Sequence, residues 1–108
     1  MAPPPRINRN RLLERLATFN RIGALPGGGN CRLALSDEDR AGRDLLVEWM
    51  RELSLAVTID AIGNIIGVRS GRADAAAVMF GAHVDTVATG GRYDGLYGVL
   101  AGLDGAMA

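Results

Sequence analysis

The stretch Gly81-Ala82-His83-Val84-Asp85-Thr86-Val87-Ala88-Thr89-Gly90-Gly91-Arg92-Tyr93-Asp94-Gly95 decides how this chain is read. Its first two residues close Ala75 to Ala82 (Ala-Ala-Ala-Val-Met-Phe-Gly-Ala), a continuous apolar run that predicts a strand buried on both faces. His83 and Asp85 are two apart, so on an extended backbone they share a side. The carboxyl end of a buried strand is where open α/β sheets place their ligands. A His with a carboxylate two residues on suits a metal ligand and the group that orients it. Asp94 arrives across a Gly-Gly loop at the start of a helix, where a carboxylate can bridge two metal ions about 3.5 Å apart. The same residues also have plain structural readings. His83 can be a satisfied hydrogen-bonding residue, Asp85 can cap a turn and Asp94 can cap the last helix.

Upstream, Leu12, Leu13, Leu16 and Phe19 recur at helical spacing and predict a helix over 8–20. Gly23 and Pro26-Gly27-Gly28-Gly29-Asn30 end it in a loop. That loop lacks the GxGxxG or Walker spacing of a phosphate cradle, so it reads as a connector. Ser36 can cap a second helix over about 37–53, with Asp39 where a capping-box acid belongs. Leu45, Leu46, Trp49, Met50 and Leu53 form its apolar stripe, and the charged residues lie mostly on the other faces. Leu55, Val57 and Ile59 alternate with Ala56, Thr58 and Asp60 as a strand does. Ala61 to Asn64 can turn, and Ile65, Ile66 and Val68 supply the other half of an antiparallel hairpin. Downstream of the motif, Leu96, Val99, Leu100 and Leu103 mark a last helix beginning near Asp94.

Length and composition bound the possible functions. A chain of 108 residues allows one small domain at most. Residues 1–6, rich in Pro, read as a disordered start, and 7–108 as the folded part. Twelve basic and twelve acidic residues cancel. A zero balance argues against a nucleic-acid partner or a polybasic membrane surface, both of which need excess positive charge. Aromatics at 5% are too few for base-stacking platforms. Cys31 is the single cysteine, so no intramolecular disulfide forms, and no neighbouring base points to a nucleophile. No stretch approaches the ~18 to 20 apolar residues of a membrane span. The expected compartment is the cytoplasm.

The motif resembles the first metal-binding motif of metal-dependent amidohydrolases, the group that includes N-carbamoyl-L-amino-acid hydrolase, allantoate amidohydrolase and beta-ureidopropionase. The wider aminoacylase and carboxypeptidase superfamily carries a Gly-(Ser/Ala)-His-x-Asp-(Thr/Ser)-Val run, then a Gly-Gly loop and an Asp-Gly. Here these are Gly81 to Val87, Gly90-Gly91 and Asp94-Gly95. The form Gly-Gly-Arg-Tyr-Asp-Gly, running on into Tyr97-Gly-Val-Leu-Ala-Gly, is similar to the carbamoylase-like branch. So are Arg32 to Arg40 and Asp60-Ala-Ile-Gly-Asn64. The resemblance covers roughly residues 7–103.

The resemblance implies an α/β fold, the N-terminal part of a zinc-peptidase-like catalytic domain: two helices, a β-hairpin, a buried strand and the start of a further helix. The family's smaller dimerisation domain is expected to lie outside these residues. Residue by residue, it implies that His83 is a ligand to one metal and that Asp94 bridges two. Asp85 would then be the catalytic residue that supports His83 and tunes a metal-bound water. It implies two divalent ions, of Zn, Mn, Co or Ni, and hydrolysis of a ureido or amide C–N bond in a small N-carbamoyl, allantoate or ureidopropionate substrate. The intact enzyme is expected to be a homodimer. The departures are as informative. The family's general base belongs to a downstream Glu-Glu pair, yet no Glu follows Glu52, and His83 is the one His. A catalytic zinc usually keeps three protein ligands and a water. The chain alone is therefore expected to hold an incomplete site, to be inactive, and to self-associate. The rival expectation is a non-catalytic binding or assembly module that keeps the motif as scaffold.

Overall fold

The computed structural model describes residues 3–106. Five elements follow one another: α1 (Arg9–Phe19), α2 (Asp37–Glu52), β1 (Ala56–Ile59), β2 (Ile65–Val68) and α3 (Leu96–Gly105). The mixed α/β class expected from the sequence holds, with both early helices within a residue or so of their expected bounds. Pro3 to Arg6 are exposed and carry no regular element, and Met1 and Ala2 lie outside the described residues.

Local chemistry accounts for the helix ends. Asn8 caps α1 by accepting from the Arg11 N–H at 3.0 Å. Ser36 caps α2 by accepting from the Asp39 N–H at 3.2 Å. Asp39 reaches back as a capping-box acid does, but takes the N–H of Leu35 at 3.0 Å, one residue before the cap. Along the hairpin, Asp60 accepts from the N–H groups of Ile62 and Asn64 and from the Asn64 amide, at 3.1, 2.8 and 2.8 Å. Those bonds, led by Asn64, hold the Asp60 carboxyl below its ordinary range. The Asp60–Asn64 stretch is thus turn chemistry that fixes the antiparallel register Ala56 with Val68 and Ile59 with Ile65.

One core joins these elements: Leu12, Leu16 and Phe19 of α1, Leu46 of α2, Leu55, Val84, and Leu96, Leu100 and Leu103 of α3. Phe19 sits at its centre, fully buried, with the Trp49 ring 6.1 Å away in a tilted arrangement. Gly42 lies beneath it, where a Cβ would meet the Phe19 ring at 3.0 Å. At the far end of α3, fully buried Asp104 accepts from Arg11 Nε at 2.5 Å and from the Asn8 N–H at 2.7 Å. This pair ties α3 to the start of α1.

The buried strand expected over Ala75 to Ala82 is not found. The run carries no regular element, and Val78, Met79 and Phe80 are 84%, 88% and 69% exposed. The physical reason is that apolar composition cannot supply a ladder. A strand needs neighbouring backbone to pair with, and among the described residues β1 and β2 pair only with each other. The end of the run lies instead along α3. There Gly102 and Gly98 leave room, a Cβ on them meeting the Cβ atoms of Phe80 and Ala82 at 3.1 and 3.0 Å. Gly98 and Gly102 are four apart, on one face of the helix.

Candidate functional site

Residues 83–86 alternate in burial: His83 is exposed, Val84 buried, Asp85 half-buried and Thr86 buried. That period of two puts His83 and Asp85 on one side, as their spacing requires. Their side chains meet, with His83 Nδ1 3.3 Å from Asp85 Oδ1. The same nitrogen lies 2.9 Å from the Asp85 carbonyl oxygen. A carbonyl only accepts, so Nδ1 carries the proton and Nε2 keeps its lone pair free. Both side chains are about half exposed, so the free nitrogen is open to an incoming ligand.

Asp94 stands before the N-terminus of α3, but the plain capping reading does not apply. The N-cap is Gly95, and no side chain bonds there. Asp94 contributes its carbonyl instead, accepting from the Leu96 N–H at 2.7 Å. With Gly95 at φ 70° and ψ −56°, residues 94–96 form a γ-turn of the rare positive-φ kind. Glycine is required here twice. The backbone conformation is one that side chains resist, and the His83 ring lies where a Cβ would be, 2.5 Å from Nδ1. Gly95 therefore sits directly against His83, with exposed Asp94 its neighbour in sequence. An open groove of about 690 Å³ between α2 and β1, lined by acidic Asp44, Glu48 and Glu52 among others, includes none of His83, Asp85 and Asp94.

The loop from 84 to 92 is fastened to the segment after α1. Asn30 and Gly90 exchange backbone hydrogen bonds at 2.9 and 2.8 Å. The Asn30 amide donates to the Asn20 carbonyl at 2.8 Å, and the Asn20 amide to the Arg92 carbonyl at 2.9 Å. Thr86 donates its N–H to the Arg32 carbonyl and accepts the Arg32 N–H on Oγ1, both at 2.8 Å. Arg32 itself is 1% exposed, its guanidinium donating to the Val84 and Ile22 carbonyls and lying 4.8 Å from the Phe19 ring centroid. Burial lowers its pKa, and the charges of Asp39 and Asp85 oppose that shift. Composition hid these residues. Asn30 reads as part of a loop and Arg32 as the first residue of a stretch that carries the resemblance, and only their contacts reveal them as buried.

The donor set fits one end of a metal site: an imidazole with a free Nε2, a carboxylate that orients it and a second carboxylate nearby in sequence. Among the described residues, no three His, Cys, Asp or Glu side chains are grouped closely enough to hold an ion.

An N-carbamoyl-L-amino-acid amidohydrolase of Pseudomonas sp. (strain NS671) is 44% identical over 99 residues, which span 91% of this chain and 24% of that protein. Over nearly its whole length, this chain resembles part of an N-carbamoyl-L-amino-acid amidohydrolase. The enzyme of the same name from Geobacillus stearothermophilus is 43% identical over the same shares. Among solved structures, a hydantoinase/carbamoylase family amidase from Burkholderia ambifaria superposes with a TM-score of 0.92 at 49% identity. The match covers 97% of this chain and 26% of the amidase. The chain thus spans about a quarter of the length of the curated relatives it matches. No family model matches it. No helix among the described residues is long and apolar enough to cross a membrane.

Proposed function

We propose that this chain supplies one side of the metal site of a carbamoylase-type amidohydrolase, acting on the ureido C–N bond of N-carbamoyl-L-amino acids. The single observation that carries the reading is the imidazole of His83, held by Asp85 with Nε2 unengaged, in a sequence 44% identical to such an enzyme. His83 and Asp94 would be the residues that hold the metal, and Asp85 would fix the His83 tautomer. The two divalent ions implied by the resemblance would supply a Lewis acid and a water acidic enough to attack at neutral pH. His83 offers Nε2, and the exposed Asp94 carboxylate faces no competing cap. Asp85, as an acceptor beside Nδ1, keeps the ring turned so that Nε2 faces outward.

The chain alone is inactive on this reading. With one His and no Glu beyond Glu52, it holds neither enough ligands nor a downstream general base. Residues 3–106 can be grafted in place of the matching segment of the Burkholderia ambifaria amidase and the product assayed on N-carbamoyl-L-amino acids. Turnover that disappears with chelator and with His83→Ala is the expected outcome. A folded chimera whose turnover survives His83→Ala would remove His83 from the reaction.

A further inference from the structure

We propose that Arg32 is a positioning residue for the candidate site: a buried clamp on the Val84 carbonyl that turns the Asp85 carbonyl outward and so sets the His83 tautomer. The inference takes its functional meaning from the reading of His83 as a ligand, but its geometry stands apart from any metal.

Three observations carry it. First, Arg32 spends its donors on backbone from two separate loops, Nε on the Val84 carbonyl at 2.7 Å and Nη1 on the Ile22 carbonyl at 2.8 Å. Among the described residues it forms no ion pair, and its direct partners are these two carbonyls and the face of the Phe19 ring. A rigid planar fork fixes the angle between two acceptors as a lysine cannot. Second, the backbone of Arg32 grips the next inward residue, Thr86, through two bonds at 2.8 Å. Val84 and Thr86 are thereby both held from the inner side. Third, successive carbonyls on an extended segment point to opposite sides. With the Val84 carbonyl pinned inward, the Asp85 carbonyl faces outward. There it lies 2.9 Å from His83 Nδ1 and accepts its proton. Releasing Val84 lets the 84–85 backbone rotate, and the constraint on the ring goes with it.

Nitrogen-15 NMR of the full chain tests this, because His83 is the sole histidine and its ring signals need no assignment. At alkaline pH, where imidazole side chains are neutral, the two tautomers have distinct ring-nitrogen shifts. Arg32→Met and Arg32→Lys are compared with wild type and with Arg11→Met, which breaks the ion pair between α1 and α3. The wild-type ring is expected to be mainly Nδ1–H. In both Arg32 variants the ratio of Nδ1–H to Nε2–H falls about five- to tenfold, the change expected on losing one net hydrogen bond. Arg11→Met lowers the melting temperature and leaves the ratio alone. An unchanged ratio in folded Arg32 variants overturns the proposal, as does a wild-type ring that is mainly Nε2–H. An equal shift in Arg11→Met would make the effect one of general stability. If both Arg32 variants lose the fold entirely, Arg32 is a core residue with no separate hold on the site, and the proposal fails. None of these outcomes touches metal binding, so the proposed function stands or falls on its own assay.

Discussion

Replacing Gly95 with alanine places a methyl group where the backbone and His83 both refuse it. At φ 70° and ψ −56° an L-residue sits in a sparsely populated region, a cost of about 1–3 kcal/mol. The new Cβ would lie 2.5 Å from His83 Nδ1 and equally close to the His83 carbonyl oxygen. The ring can swing away, but the carbonyl moves only if residues 83–85 move, and overpacking of this kind costs about 1–3 kcal/mol more. Together the loss is roughly 4 kcal/mol, a large share of the ~5–15 kcal/mol that holds a native domain folded. Gly91 is the control, having nothing within 4 Å of its added Cβ and no positive φ. Urea unfolding followed by the fluorescence of the single Trp49 reads both variants against wild type. Gly91→Ala should lie within about 0.5 kcal/mol of wild type, as surface substitutions usually do. If Gly95→Ala unfolds at the same urea concentration as Gly91→Ala, the γ-turn and the packing of His83 on it are both wrong.

Other outcomes follow from the same contacts. Asp104 is held below its ordinary carboxyl pKa, first by the Arg11 side chain and then by the Asn8 N–H. The stability it contributes is therefore complete above the unfolded value of about 3.9 and lost as pH falls through the folded one. Asp104→Asn should be less stable than wild type near pH 7 and flatter in acid, and melting curves across pH 2–7 would expose an error if the two profiles ran parallel. Met79 is 88% exposed beside Val78 and Phe80 on a chain of zero net charge, so sedimentation should show concentration-dependent association. Met79→Lys should reduce that association, and a strictly monomeric wild type would contradict it. Asn30→Leu removes the amide that donates to the Asn20 carbonyl at 2.8 Å and should cost about 1–3 kcal/mol in urea unfolding, because a buried acceptor is left without its donor.

The elements legible in the sequence are those whose causes are local. Ser36 marks a helix start because a short polar side chain satisfies an N–H three residues on, chemistry that the structure also finds at Asn8. Leu12, Leu16 and Phe19 recur with the helical period, and the same arithmetic holds for the stripe of α2. Asp60 to Asn64 close the hairpin through bonds spanning four residues at most. His83 and Asp85 share a side because extended backbone alternates, whatever surrounds it. The sequence by itself also fixed the resemblance, since the motif from Gly81 to Gly95 lies on one continuous stretch.

Only the tertiary structure decided the rest, because the causes lie far apart along the chain. Ala75 to Ala82 reads as a strand by composition, yet a strand is made by its partner, and none of the described residues pairs with it. Asp104 and Arg11, 93 residues apart, look like ordinary helix-surface charges until α1 and α3 pack side by side. Arg32 reads as one of twelve scattered arginines, and its meaning depends on where the carbonyls of Ile22 and Val84 come to rest. Gly95 could be any loop glycine until the His83 ring is found in the space its side chain would fill. Periodicity and capping are written in neighbouring residues. A buried charge and a steric vacancy exist only once the chain has brought distant groups together.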